Sequence, residues 1–327
     1  MEAQRQPESP LPEDIAAAAD VAGRVIQNVS RVIHAPRTLI ERCVIAVLCE
    51  GHVILEDFPG VGKTMLAKSI ARSLDCEFAR VQATPDLLPS DITGVSVFNL
   101  QGNEFEFKPG PVFANIVVGD EINRASPKTQ SALLECMEER QVTVDGRTYP
   151  LTPPFMVIAT QNPIEMEGTY PLPEAQRDRF TARISMGYPS AESELAMLDT
   201  HGSSSPLDAL EPVAQAEDMR ELIAAVRTVH VAEPLKQYVI RLVAATRSSP
   251  ELRLGASPRA TLHLLRAGRA RAALDGRDFV IPDDMQALAL PVLAHRLLPS
   301  AEAVVTQQPP ERVLAAIVEH LPLPQLR

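Results

Sequence analysis

A glycine-bearing loop between an apolar segment and an amphipathic one is the strongest chemical signal in the chain. The loop, residues 58–64, has the sequence FPGVGKT and follows the apolar residues 53–55. Apolar residues then recur at helical spacing over 66–74. A strand, a glycine loop and a helix in this order predict a phosphate-binding loop, because backbone N–H groups and the positive end of the helix dipole surround phosphate oxygens.

Particular roles follow for the side chains of this loop. Lys63 would reach the outer phosphates, and the Thr64 hydroxyl could bind Mg²⁺. The predicted nucleotide contacts are Pro59, Gly60, Val61, Gly62, Lys63, Thr64 and Met65. The general pattern G-x-x-x-x-G-K-[ST] would place glycine at position 57, where this chain has Asp57. Aspartate tolerates left-handed turns better than most residues, but less freely than glycine.

Two adjacent carboxylates follow a second apolar segment. Asp120 and Glu121 come directly after the apolar residues 116–118 and 57 residues after Lys63. Asp120 would hold the water shell of Mg²⁺, and Glu121 would polarise the water that attacks the γ-phosphate. An Asp-Glu pair alone is usually a solvated strand end. Its position downstream of a phosphate loop makes the catalytic interpretation strong.

Asn162 and Arg259 are two further candidates. Asn162 ends the apolar strand 155–162, and ligands of parallel sheets lie at the carboxyl ends of the strands. The alternative is a turn residue before Pro163. Arg259 lies in the first turn of a predicted helix capped by Ser257, where a cation is unfavourable by a few tenths of a kcal/mol or more. An external phosphate or a nearby carboxylate would compensate it.

Composition narrows the class of protein. The chain has 327 residues, a formal net charge of −11 and a pI of about 5.2. This balance argues against a broad nucleic-acid-binding face, although a local basic channel would not show in the sum. The four cysteines lack zinc-site spacing, and we find neither a secretory signal nor a membrane-spanning apolar run. We expect a reducing, cytoplasmic location without direct membrane insertion.

The pattern of apolar residues predicts three parts: a flexible tail over 1–20, an α/β nucleotide-binding domain over 21–190, and a helical domain over 191–327. Two hairpins are expected, near 95–108 and 141–151, the second from Asp-Gly between alternating residues. The residues alone leave open whether the first hairpin is an edge of the main sheet or a protruding insertion.

Five motifs in order resemble the MoxR family of AAA+ ATPases, over about residues 21–300. They are DFPGVGKT (57–64), GDEINRA (119–125), ATQNP (159–163), PEAQRDRF (173–180) and GASPR (255–259). The resemblance implies an AAA+ P-loop NTPase fold, with helices on both faces of a parallel sheet and an all-α lid. It also implies a ring, usually of six subunits, with ATP between neighbours. Asn162 would be the first sensor, Arg259 the second sensor, and Arg179 the arginine finger, with Arg177 as the competing candidate.

The same resemblance implies Mg²⁺-dependent ATP hydrolysis by a chaperone that remodels or matures a partner complex, with a von Willebrand factor A domain protein as partner. Both hairpins would face the ring pore or its rim. Two alternatives share the clade: an ATPase subunit of magnesium chelatase and a nucleic-acid motor. The acidic charge and the few basic residues at the hairpin tips count against the motor. A scaffold that binds ATP without turnover is disfavoured by the intact set of Asp120, Glu121, Asn162 and Arg179.

Overall fold

The computed structural model describes residues 12–162, 169–200 and 206–324. Its contacts divide the chain into two compact units, one of residues 25–216 and one of the residues up to 24 together with 217–327. The predicted tail falls partly outside the described residues, and from Pro12 onward it is helical. The later segment of the second unit begins at residue 217, which is 26 residues after the predicted start of the helical domain at residue 191. The domain bounds stay a prediction.

Helices and strands alternate through the first unit. The strands are β1 Val53–Glu56, β2 Phe78–Gln82, β3 Gly94–Asn99, β4 Glu104–Pro109, β5 Ile116–Asp120, β6 Gln141–Val144, β7 Arg147–Pro150, β8 Met156–Gln161 and β9 Ala182–Ile184. The helices are α1 Pro12–Ser30, of which residues 25–30 belong to this unit, α2 Arg37–Leu48, α3 Lys63–Ser73, α4 Pro89–Thr93, α5 Pro127–Glu139, α6 Glu174–Arg177 and α7 Ala191–Thr200.

A five-stranded parallel sheet forms the centre of this unit, in the order β2-β5-β8-β1-β9. Ile116, Val117 and Val118 of β5 are fully buried, as expected for strands covered on both faces. In register, Gln82 lies opposite Asp120, and Glu56 opposite Gln161. The carboxyl ends of β2, β5, β8 and β1 therefore meet at one edge of the sheet.

Both predicted hairpins are present, and each forms its own antiparallel pair, β3 with β4 and β6 with β7. Neither belongs to the five-stranded sheet, so the edge-hairpin interpretation of the first one was wrong. Phe107 of β4 stacks on Tyr149 of β7, with ring centroids 4.2 Å apart. Packing against the second hairpin thus helps to stabilise the first one outside the main sheet.

The second unit is helical, as predicted. Its helices are α8 Ala216–Thr228, α9 Glu233–Ser248, α10 Pro258–Leu274, α11 Pro282–Leu293, α12 Ala301–Val305 and α13 Pro310–His320. It also contains a short antiparallel pair, β10 Leu252–Leu254 with β11 Leu298–Pro299. Three- and two-residue strands are too short to show a sequence period. None of the helices in the described part of the chain is long and apolar enough to cross a membrane.

Candidate nucleotide-binding site

The loop after β1 has the backbone of an anion-binding turn. Gly60 has a φ of 82°, and Gly62, which precedes α3, has a φ of 93°. Both values lie in the left-handed region that favours glycine. The first N–H groups of α3 have no intrahelical partner, and a glycine cap supplies no side chain to bind them. The start of α3 is therefore suited to phosphate oxygens.

Lys63 reaches across to the carboxyl edge of the sheet. Its Nζ donates a hydrogen bond to the carbonyl oxygen of Asp57 at 2.7 Å and lies 3.5 Å from that of Gln161. Gln161 ends β8, and Asp57 follows β1 directly. The ammonium group thus lies where the phosphate loop meets two strand ends.

Asp57 does not adopt the left-handed backbone conformation that would favour glycine at this position. The described non-glycine residues with positive φ do not include it. Its buried carboxylate accepts hydrogen bonds from the backbone N–H groups of Phe58, Met186 and Gly187 and from the Ser185 hydroxyl. Burial acts to raise the pKa of Asp57, but these hydrogen bonds outweigh it, so the pKa is lower than usual.

The two predicted catalytic acids lie side by side at the end of β5 and differ in backbone conformation. Glu121 has φ 54° and ψ 46°, a left-handed conformation that directs it differently from Asp120 in the strand. Thr160 of β8 joins them. Its hydroxyl donates to Oδ1 of Asp120 at 2.5 Å and accepts the backbone N–H of Glu121 at 2.9 Å.

Each acid also has a partner on strand β2. Arg80 donates to Oδ2 of Asp120 through Nη2 at 2.6 Å and Nε at 3.1 Å. Gln82 Nε2 donates to Oε2 of Glu121 at 3.1 Å. The Nε of Arg124 lies 3.1 Å from the same oxygen. Sequence reasoning missed these partners and Thr160. The alternation of Arg80 and Gln82, which places them on one face of β2, was the available signal.

Asn162 follows β8 directly, and its side chain is buried. The carbonyl of the preceding Gln161 is the one near Lys63 Nζ, so the chain at this point passes the phosphate loop. Pro163, on which the turn alternative depended, lies outside the described residues.

Arg179 lies apart from these contacts. Its Nε is 3.0 Å from Oε2 of Glu138 on α5. It lines an open depression of about 540 Å³ together with Glu135 and Glu139 of the same helix. The Nε of Arg177, by contrast, is buried and finds no hydrogen-bond partner among the described residues.

Arg259 belongs to the second unit, in the first turn of α10. The predicted cap is confirmed: the Ser257 hydroxyl oxygen accepts the N–H of Ala260 at 3.3 Å, and Pro258 is the first helical residue. The arginine is partly buried.

A cavity of about 930 Å³ adjoins the phosphate loop. Three segments of the first unit form its wall: residues 32–36, the loop residues 59–62 with Met65, and residues 186–190 with Ser193 and Glu194. Val32, Ile33, Met65, Met186 and Tyr188 make much of this wall apolar or aromatic. Such a cavity suits a planar organic group better than a phosphate.

The donor chemistry near the loop fits Mg²⁺. Within the described ranges no group of three or more His, Cys, Asp or Glu side chains could hold a metal ion. Mg²⁺, however, commonly takes one or two carboxylates, with water and substrate phosphates completing its shell. Asp120, whose side chain is 14 % exposed, and the Thr64 hydroxyl are oxygen donors of the required kind.

Comparison with known proteins agrees with this geometry. The model of the ATPase family associated with various cellular activities (AAA) matches residues 52–182, and that of the AAA lid domain matches residues 244–315. A crystal structure of a protein from Cytophaga hutchinsonii superimposes with a TM-score of 0.89 at 38 % identity, covering 96 % of this chain and 98 % of that one. The chain is an AAA+ ATPase with a helical lid.

Sequence relatives define the family more closely. The uncharacterized protein YeaC of Bacillus subtilis is 48 % identical over 93 % of this chain and 95 % of its own length. Chaperone MoxR1 of Mycobacterium tuberculosis is 43 % identical over 96 % and 85 %. Protein MoxR of Paracoccus denitrificans is 34 % identical over 81 % and 87 %. The chain belongs to the MoxR family of AAA+ ATPases, as its motifs indicated.

Proposed function

We propose that the site at the carboxyl edge of the sheet binds ATP with Mg²⁺ and hydrolyses it to ADP and phosphate. One observation carries this proposal: Lys63 from the start of α3, which contacts the carbonyls of Asp57 and Gln161, and the two acids at the end of β5 all lie at that edge. Pro59, Gly60, Val61, Gly62, Lys63, Thr64 and Met65 would bind the nucleotide. Thr64 and Asp120 would hold Mg²⁺, which supplies neutralisation of phosphate charge when bound.

Glu121 would act on the attacking water. Its carboxylate contacts Gln82 of β2 and Arg124, three residues further along the chain, and these two contacts hold it in position. A carboxylate held in this way can accept a proton from water, or orient it, as it attacks the γ-phosphate. Asn162, next to the strand end that Lys63 contacts, would bind the γ-phosphate or that water.

The apolar cavity would receive the base. It begins at Gly60 and Gly62, so a nucleotide whose phosphates lie on the loop can extend its nucleoside into it. Preference for adenine rests on the family alone.

We propose further that subunits assemble in a ring, with six as the expected number, and that Arg179 acts on the nucleotide of a neighbour. Arg179 contacts Glu138 of α5, and the depression that it lines is open, which suits a residue that acts on another molecule. Arg259 would approach the phosphates from the lid.

The output would be chaperone work on a partner complex that includes a von Willebrand factor A domain protein. The name of a relative, chaperone MoxR1, supports the chaperone role. The β3–β4 hairpin supports a protein client: Leu100 and Phe105 are 87 % and 70 % exposed, and apolar surface of this kind binds proteins more readily than phosphate backbones. Magnesium-chelatase and nucleic-acid-motor activities are the alternatives.

The nucleotide site is tested by calorimetry with Lys63→Ala and the matched variant Lys68→Ala, which removes an exposed lysine of the same helix. Loss of the charged contact to phosphate should weaken ATP binding by about 10- to 100-fold in Lys63→Ala. Lys68→Ala should bind as the wild type does, and EDTA should stop phosphate release. Unaltered affinity in Lys63→Ala would contradict the proposal.

The partner is tested by affinity capture with Glu121→Gln and Mg·ATP, with and without nuclease, followed by mass spectrometry. A von Willebrand factor A protein captured in both conditions would support the chaperone role. A captured set that collapses with nuclease would favour the motor. Size-exclusion chromatography with light scattering, with and without ATP, tests the ring.

A further inference from the structure

The carboxylate of Asp57 binds a segment that is far away in the sequence. Its Oδ2 accepts hydrogen bonds from the Ser185 hydroxyl at 3.0 Å and from the N–H groups of Met186 at 2.5 Å and Gly187 at 2.6 Å. The side chain is 4 % exposed. A buried carboxylate with several N–H donors is a strong and directional contact. Residues 185–188 are called the wall segment below.

A second contact joins the next residue on each side. The rings of Phe58 and Tyr188 stack with centroids 4.8 Å apart and an interplanar angle of 17°. Two consecutive loop residues, 57 and 58, are thus attached to the wall segment, one through hydrogen bonds and one through ring stacking. Two attachments fix both the distance and the orientation of the segment.

The wall segment forms one side of the cavity beside the phosphate loop. Met186, Gly187 and Tyr188 line it together with Val32 and Ile33. The Met186 methyl group also lies close to the loop, since it is 4.0 Å from where a Cβ on Gly62 would be. The width of the cavity therefore depends on where Asp57 holds this segment.

The backbone of Asp57 faces the phosphate side. Its carbonyl oxygen accepts the hydrogen bond from Lys63 Nζ at 2.7 Å. The side chain and the main chain of one residue thus serve two parts of the site, the carboxylate holding the cavity wall and the carbonyl holding the lysine. Only the contact through the carboxylate requires an aspartate at position 57, because every residue has the backbone carbonyl.

We propose that Asp57 is a positioning residue for the nucleoside: its carboxylate holds the wall segment against the phosphate loop and so sets how tightly the base is bound. The proposal rests on the proposed nucleotide site and deepens it. The aspartate at this position then contributes to nucleoside binding and is not only a tolerated replacement for glycine. Its effect should appear in the affinity for ligands that carry a base and not in the affinity for phosphates alone.

Two substitutions remove the carboxylate in different ways. Asp57→Gly restores the general loop pattern and leaves the N–H groups of Met186 and Gly187 without this acceptor. Asp57→Asn keeps the size but removes the negative charge, and one orientation of its amide places N–H groups against those donors. The matched control is Glu56→Gln, which removes the neighbouring carboxylate, whose partner is Arg183 of β9.

The experiment measures the dissociation constants of Mg·ATP and of Mg·tripolyphosphate for these proteins by calorimetry. We expect ATP to bind about tenfold more weakly to both Asp57 variants, which corresponds to about 1.4 kcal/mol. Tripolyphosphate should bind them within about twofold of the wild type, and Glu56→Gln should match the wild type for both ligands.

A variant at the exposed end of the wall segment keeps the test informative if the Asp57 variants do not fold. Tyr188 is 69 % exposed, so its loss should not unfold the chain. Tyr188→Ala should show the same selective loss of ATP affinity, and Tyr188→Phe, which keeps the stacking, should not.

The outcomes separate this inference from the proposed function. Wild-type ATP affinity in Asp57→Gly, or an equal loss for ATP and tripolyphosphate, would overturn the role of Asp57 and leave the nucleotide site standing. If the Asp57 variants do not fold, wild-type ATP affinity in Tyr188→Ala would overturn it. A wild-type protein that binds neither ligand would overturn the proposed function, and the inference with it.

Discussion

The hydroxyl of Thr160 donates a hydrogen bond to Oδ1 of Asp120 at 2.5 Å, and the Thr160 hydroxyl oxygen accepts one from the N–H of Glu121 at 2.9 Å. Thr160 is 1 % exposed, so water does not replace these bonds readily. A single side chain on β8 therefore contacts both acids at the end of β5. We expect Thr160 to act by orienting the two acids through these bonds.

Replacing Thr160 by valine should keep the shape of the side chain and remove both hydrogen bonds. We expect a loss of stability of about 1–3 kcal/mol and a fall in kcat of about tenfold or more, with little change in ATP affinity. Thr160→Ser, which keeps the hydroxyl, should recover most of the activity. Urea denaturation and steady-state phosphate release measure the two effects. A Thr160→Val protein with wild-type kcat would show that the bonds are only structural.

Glu121→Gln separates binding from hydrolysis. The amide cannot accept a proton from water, while Asp120 and the phosphate loop are unchanged, so ATP should bind normally and kcat should fall by about 100-fold or more. Calorimetry and phosphate release measure this. Glu221→Gln, at an exposed position of α8, is the control. Turnover above about a tenth of the wild-type value would exclude Glu121 as the residue that activates water.

The prediction for Arg179 tests action between subunits. Arg179→Ala should bind ATP but lose turnover by about 1,000-fold or more, because the guanidinium stabilises transition-state charge. Mixing it with Glu121→Gln subunits, which have the arginine but not the base, should restore part of the activity in a rate assay. Arg177→Ala, whose Nε is buried in its own chain, should keep its turnover.

Two results would contradict this prediction. The absence of any rescue across mixing ratios would count against action in trans. A severe loss of turnover in Arg177→Ala, together with normal turnover in Arg179→Ala, would instead assign the arginine finger to Arg177.

The phosphate loop and the acid pair could be predicted because each is encoded locally. The left-handed Gly60 and Gly62 and the strand before Asp120 need only neighbouring residues to specify them. The helical lid was equally evident from its period. The β10–β11 pair was missed because Leu252–Leu254 gains its partner from residues 298–299, more than 40 positions later.

The rest of the site depends on pairings that the sequence does not state. Arg80 contacts Asp120 only because β2 lies next to β5, although two hairpin strands separate them in the chain. Asp57 was interpreted as a substitute for glycine, since its partners Ser185 and Met186 lie 128 and 129 residues away in a segment with no recognisable pattern. Such contacts follow from the tertiary fold and not from local preference.

His52 provides a pH-dependent test of the fold around the sheet. It is buried, its Nδ1 accepts the N–H of Val157 at 2.9 Å, and its Nε2 therefore carries the proton and lies 3.1 Å from the Met137 carbonyl. Burial lowers its pKa from 6.5 to about 4, against the raising effect of the Met137 hydrogen bond. The folded protein thus holds a neutral imidazole where the unfolded chain would take up a proton.

The sign of the effect on stability follows from this difference. Above pH 6.5 the histidine is neutral in both states and its stabilising contribution is complete. As the pH falls from 6.5 towards 4, only the unfolded state gains the proton, so the free energy of unfolding decreases, by about 2 kcal/mol at pH 5 from this group alone. His52→Asn, which does not titrate and can accept the Val157 N–H through Oδ1, is the comparison. Urea denaturation at pH 7.5, 6 and 5 measures the free energy of unfolding of both proteins. The value for the wild type minus that for His52→Asn should fall by about 2 kcal/mol between pH 7.5 and pH 5, because the other groups titrate alike in both proteins. A difference that stays constant across this range would mean that His52 is not held neutral by its buried contacts.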